Sequence, residues 1–309
     1  MTTRTSPQTI VYKKIGDLEI SLDVYTDDYD HEKRPAVLYI HGGGLVACDR
    51  NTSVPWWLQQ KCIMNGWVFI TADYRLLPTA SLPDIMEDLV DAHKFIRTNL
   101  NAELEKYKIS PIDIDRIAVA GTSAGGYLSL LAGNLFEPKP TVVFSEYGML
   151  NLKEEAIRNK VESSHKASDF EDITSGDQTG GEVEADIEAV TKKRIEYYLY
   201  LKATGQYLSS LFPEIPNIVE QTKQNGVKEE LKKYSPADFD TKGYPPTLLF
   251  HGEEDDLSNV NNTKLFAEKL KRDGIPLKEF YPPGVGHMIV LSSYQEEQKE
   301  FELFIEKYI

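Results

Sequence analysis

Ser123 stands in Gly121-Thr122-Ser123-Ala124-Gly125, directly after the apolar run Ile117 to Ala120 and directly before the helical pattern Tyr127 to Leu135. A serine at such a strand-to-helix turn is held out at the strand end, and glycines two positions to either side relieve the crowding of a strained backbone. The five-residue pattern alone occurs in many unrelated chains. Its place between a buried strand and a helix gives it weight. The chemistry it suggests is nucleophilic attack on a carbonyl carbon.

A serine hydroxyl needs a base to take its proton as the new bond forms. The chain has six histidines, at 31, 41, 93, 165, 251 and 287. Where the nucleophile occupies such an elbow, acid and base follow it in that order. His287 fits, in Gly284-Val285-Gly286-His287 after the strand pattern Leu277 to Tyr281. The base in turn needs a carboxylate to hold its tautomer. Four acids, Glu253, Glu254, Asp255 and Asp256, follow the strand Thr247 to Phe250 and His251-Gly252. Such a run is ordinarily a solvated turn, but one member should point inward. Glu253 would still be turning away from the strand, and glutamates would shift the imidazole. Position alone does not separate Asp255 from Asp256.

His41-Gly42-Gly43-Gly44 follows the buried run Val37 to Ile40. Three glycines cost conformational entropy and signal a close backbone approach. The amides of Gly43 and Gly44, with that of Ala124, could donate to the oxyanion of a tetrahedral intermediate, each worth about 3 to 4 kcal/mol. A phosphate cradle is the rival reading. It is weak, because no Lys-Ser or Lys-Thr follows.

These residues need rigid elements to position them. Leu18, Ile20, Leu22 and Val24 alternate with polar neighbours after the turn Gly16-Asp17, which predicts an antiparallel hairpin. Val37 to Ile40, Trp67 to Thr71, Ile117 to Ala120, Thr141 to Phe144 and Thr247 to Phe250 are nearly continuous apolar runs, the mark of strands buried on both faces. Helical spacing separates them, as in Pro83 to Leu100, so the expected class is α/β with a mostly parallel sheet and helices on both faces. Reactive groups then gather at the carboxyl ends of the strands. Residues 151–234 break the alternation with an acidic stretch and a tyrosine-rich helix near Arg194 to Phe212. They read as an inserted helical lid between two parts of one core, 1–150 and 235–309. The glycine-rich acidic part, with Ser175-Gly176-Asp177 and Gly180-Gly181, is expected to be partly mobile.

With 49 Asp and Glu against 34 Lys and Arg, the formal charge is −15. That repels nucleic acid and anionic membrane surfaces. The start has no apolar leader, no stretch approaches 18 apolar residues, and two cysteines are too few for a disulfide framework. A cytoplasmic protein without metal or organic cofactor is expected. A small-molecule ester is the expected partner, and a homodimer stays open.

His41 to Gly44, Asp73-Tyr74-Arg75-Leu76 with Pro78, Gly121 to Gly125, His251-Gly252 with Asp255, and Gly286-His287 together resemble the hormone-sensitive-lipase-like esterases of the α/β-hydrolase superfamily (fold-3 type). The motifs occur in that family's order along nearly the whole chain outside the insertion. The resemblance implies a triad of Ser123, Asp255 and His287, with an oxyanion hole on the glycine loop. Asp255 matches the family's His-Gly-x-x-Asp pattern, with Asp256 the runner-up. Two departures stand out. The glycine usual after the loop is replaced within Leu45 to Cys48, and Tyr74 to Thr79 reads YRLLPT. Leu45, Val46, Trp56, Met149 and Tyr198 are candidate substrate contacts, as are Trp57, Tyr197 and Tyr207. The expected reaction is hydrolysis of carboxylic esters of small to medium apolar groups. Lactones, thioesters, peptides or acyl transfer could use the same groups. A small-molecule receptor, as in the related plant gibberellin receptor, fits less well, because His287 is intact.

Overall fold

Alternation over the first residues builds the hairpin that the pattern predicts. β1 (Gln8–Ile15) pairs antiparallel with β2 (Leu18–Tyr25), joined at Gly16 with φ 59°. The computed structural model describes residues 6–27, 32–52, 54–157, 161–174, 187–288 and 291–309. Asp23, expected on a polar face, is buried, because it accepts from Thr9 Oγ1 at 2.6 Å and forms an ion pair with Arg50, whose Nε lies 3.0 Å away.

The apolar runs form β3 (Arg34–Ile40), β4 (Val68–Ala72), β5 (Ile112–Thr122), β6 (Val143–Glu146) and β7 (Thr247–Phe250), and β8 (Leu277–Phe280) closes the sheet. The order is β1-β2-β4-β3-β5-β6-β7-β8, and all pairings from β4 to β8 are parallel. β3 is the switch point. The chain goes to β4 on one side of it and to β5 on the other, so the loops after β3 and β5 leave side by side and open a crevice. Register keeps the strand ends level, with Ile40 beside Gly121, Thr122 beside Glu146, and Phe250 beside both Glu146 and Phe280.

α1 (Trp56–Met64) and α11 (Gln295–Tyr308) cover one face, where Trp57, Leu58, Phe301 and Ile305 pack on Val37, Tyr39, Phe144 and Phe250. The other face carries α2 (Leu82–Thr98), α3 (Leu100–Lys106), α4 (Ala124–Leu135) and α10 (Val260–Arg272), packed on Leu38, Val119, Val143 and Leu249. Each fully buried Leu or Phe contributes about 2 kcal/mol. α2 starts where Ser81 and Asp84 cap each other, Ser81 N–H donating to the Asp84 carboxylate at 2.8 Å.

Between β6 and β7 the chain forms α5 (Leu152–Ile157), α6 (Glu171–Thr174), α7 (Ile187–Thr204), α8 (Tyr207–Leu211) and α9 (Ile218–Asn225). The single helix predicted over Arg194 to Phe212 is therefore two. Gly205, at φ 69°, ends the first. Leu201, Tyr207, Leu208, Leu211 and Phe212 join the α4-side core, so these helices share the core of the sheet. The stretch with Ser175-Gly176-Asp177 and Gly180-Gly181 lies outside the described residues. Among the described residues no helix is long and apolar enough to cross a membrane.

Candidate active site

The elbow is tight for a reason visible in its glycines. Ser123 has φ 54° and ψ −117° between β5 and α4. A Cβ on Gly121 would lie 2.2 Å from the Gly125 carbonyl oxygen, and one on Gly125 would lie 1.9 Å from that of Ile40. Only glycine lets the helix start so close to the strands. Ser123 N–H donates to the Glu146 carbonyl at 2.9 Å, tying the elbow to the end of β6.

Three loops then converge. Ser123 Oγ lies 2.9 Å from His287 Nε2, and His287 Nδ1 lies 2.7 Å from Asp255 Oδ2. Of the two aspartates left open by position, Asp255 turns inward, its side chain wholly buried, while Asp256 is exposed. Burial by itself would raise the Asp255 pKa. The bonds from His251 and His287, and the Ser258 N–H, outweigh it and hold the carboxyl well below the usual range, so it is ionised. With Asp255 accepting at Nδ1–H, Nε2 presents its lone pair to the serine hydroxyl.

The His41 to Gly44 loop sits beside the elbow. The Tyr74 hydroxyl donates to the His41 carbonyl at 2.9 Å, and the two rings stack at 4.2 Å. Burial pushes the His41 pKa down to about 4, so it is a neutral packing residue. Gly43 and Gly44 have φ 96° and 65°. Gly44 and Ala124 line a cleft over Ser123 that encloses about 280 Å³, its open mouth included.

Met149 and Tyr198 line that cleft, as does Tyr207, whose hydroxyl donates to the Gly44 carbonyl at 3.0 Å. Leu45 and Val46 do not. The glycine turn, closed by Val46 and Ala47 N–H on the Gly43 carbonyl, sends both side chains into the core, where they are fully buried. Trp56 opens α1 on the surface, 45% exposed, and Trp57 packs on Phe144. Tyr197 packs on Phe170, away from the cleft face.

Other residues at the site were not singled out from the sequence. Tyr147 sets its ring edge-to-face on His287 at 4.9 Å, and its own backbone has φ 41°. Lys202 reaches the cleft with both Glu155 carboxylate oxygens at 2.6 Å from its Nζ. Its ammonium also lies 5.1 Å from the Tyr207 ring centroid. Glu146, at the end of β6, is buried, which raises its pKa to about 8. Its place at a strand end could have flagged it. The pairs it forms across the sheet could not.

A family model described as BD-FAE matches residues 22–196, more than half of the chain and spanning the glycine loop and the elbow. The chain belongs to the BD-FAE family. Beyond that span, residues 199–309 match the model of the prolyl oligopeptidase family, which covers Asp255 and His287 of this BD-FAE member. Solved structures show the α/β-hydrolase fold. An esterase from Pyrobaculum calidifontis superposes with a TM-score of 0.65 at 23% identity, covering 98% of this chain and 86% of that one. A bacterial heroin esterase gives 0.64 at 22%, covering 98% and 83%. Among curated proteins, a non-reducing polyketide synthase of Stereocaulon alpinum is 27% identical over 290 residues, 87% of this chain and 11% of the relative. Methylphloroacetophenone synthase of Cladonia uncialis is 26% identical over 313 residues, 90% and 12%. The chain spans only about a tenth of the length of these curated relatives.

Proposed function

We propose that this protein is a serine hydrolase that cleaves carboxylic esters through an acyl-enzyme on Ser123. The observation that carries the reading is the unbroken chain from Ser123 Oγ to His287 to Asp255, at 2.9 and 2.7 Å. His287 Nε2 takes the hydroxyl proton as Oγ attacks the carbonyl carbon, and Asp255 stabilises the imidazolium that results. The backbone N–H groups of Gly43, Gly44 and Ala124 receive the oxyanion. His287 then gives its proton to the leaving alcohol, and a water activated by the same base releases the acid. The helices from α5 to α9 act as a lid over the cleft, with Met149 and Tyr198 as substrate contacts. Both cysteines are free, which suits the reducing cytoplasm.

The test is covalent labelling. A fluorophosphonate should add its mass to Ser123 alone, and Ser123→Ala should lose both the adduct and all but a trace of ester turnover while keeping its melting temperature. Activity should rise with pH as the imidazole loses its proton. An unlabelled wild type would end the reading. A second reading, cleavage of thioesters, is favoured by the polyketide synthases among the relatives. A ratio of kcat/KM for matched thioester and oxygen ester substrates decides between them.

A further inference from the structure

His251 was one of six candidate bases and takes no part in the proton transfer described above. It lies at the end of β7, four residues before Asp255, and is wholly buried. Its Nε2 faces two acceptors at once, Asp255 Oδ2 at 3.0 Å and the Ser258 carbonyl at 3.0 Å. Neither can donate, so Nε2 carries the proton. The opposite nitrogen, Nδ1, lies 2.7 Å from Thr263 Oγ1 on the first turn of α10. Thr263 is buried as well. A threonine hydroxyl both donates and accepts, so it can give its proton to an Nδ1 lone pair.

Asp255 is thus held from every side. Oδ1 accepts Leu257 N–H and Ser258 N–H, each at 2.8 Å, Oδ2 lies 2.7 Å from His287 Nδ1, and His251 Nε2 stands 3.0 Å from the same oxygen. We propose that His251, locked in one tautomer by Thr263, is a positioning residue for the triad. It turns the Asp255 carboxylate so that an Oδ2 lone pair meets His287 Nδ1, and it does so without adding charge. The neutral state matters. A second cation on Asp255 would compete with the imidazolium that His287 must become, and the carboxylate would stabilise that ion less. Among the described residues, the titratable groups that face His251 are Asp255 and, through it, His287. Lys264, next along α10, turns outward to Glu253 at 2.7 Å.

The inference rests on the serine-hydrolase reading, and its test separates the two. In ¹⁵N-histidine spectra, which need no substrate, His251 should show a proton on Nε2 and none on Nδ1. A proton on Nδ1 would overturn the assignment whatever the enzyme does. In kinetics, His251→Leu should label at Ser123 in full yield yet lose kcat by about tenfold or more with KM nearly unchanged, because alignment is needed only in the transition state. Removing a donor from Asp255 makes the carboxylate more basic, so the acid limb of kcat/KM should move to higher pH, by about half a unit or more. His251→Gln, whose amide nitrogen reaches the place of Nε2, should recover most of the activity and return the limb. Thr263→Val should show a smaller loss in the same direction. If His251→Leu is too unstable to purify, the Gln and Val variants carry the test.

A loss that merely tracks the fraction of folded enzyme, with the limb unmoved, would mean that His251 only packs. A wild type that never labels at Ser123 removes the hydrolase reading, and the positioning role with it.

Discussion

Asp255 accepts three hydrogen bonds and faces His251 Nε2 at 3.0 Å in a site where its side chain is wholly buried, so its orientation is set by donors on every side. That is the condition for holding His287 in the Nδ1–H tautomer. Asp255→Asn places an amide where two donors already point, which forces the imidazole to the wrong tautomer. Turnover should fall by about 10⁴ with little change in KM. Asp256 is exposed and meets none of these groups, so Asp256→Asn should cost less than about tenfold. Steady-state rates on one short ester settle the pair, and a reversed result would put the orienting acid at Asp256.

Among the elements, α7 does two jobs. Its Tyr198 lies against Gly44, so close that a Cβ there would come within 2.4 Å of the ring, and its Lys202 ties α7 to α5 through Glu155. A buried ion pair returns little net stability, but breaking one leaves an uncompensated charge. Lys202→Met should therefore destabilise the protein by about 3 to 5 kcal/mol, while Lys202→Met with Glu155→Leu should recover most of that loss. Urea unfolding of the four members of the cycle measures it. If single and double variants were equally unstable, the pair would be acting through shape alone.

At the scale of the molecule, stability should carry the imprint of Glu146. Burial raises its carboxyl from the ordinary 4.5 to about 8. Between those values the unfolded chain has lost the proton and the folded chain keeps it, so stability from this group is full below 4.5 and is lost as pH rises through 8. His41 and His93, both lowered to about 4 by burial, act the other way, their contribution failing as pH falls below 6.5. Glu146→Gln isolates the first effect. Relative to the wild type, its melting temperature should rise steadily from pH 5 to pH 8. A constant difference across that range would show that Glu146 is ionised in the folded protein.

Strand positions were legible because residues buried on both faces must be apolar in an unbroken run, and Val37 to Ile40 and Thr247 to Phe250 are such runs. The elbow and the glycine loop were legible because no other residue tolerates those backbones, as Gly125 against Ile40 shows. Sequence alone thus determined the parallel sheet, the elbow that carries Ser123 and the order of the loops that reach it. It did not separate Asp255 from Asp256 by position, because a one-residue turn is decided by which N–H groups close it, here those of Leu257 and Ser258. Nor did it tell that Leu45 and Val46 turn into the core, since a positive φ at Gly43 and Gly44 reverses the chain direction. The contacts of His251, Tyr147 and Lys202 came only with the tertiary structure. Each depends on a partner distant in the chain or carried on another loop, and no local pattern of residue types records which side chains the packed sheet will bring face to face.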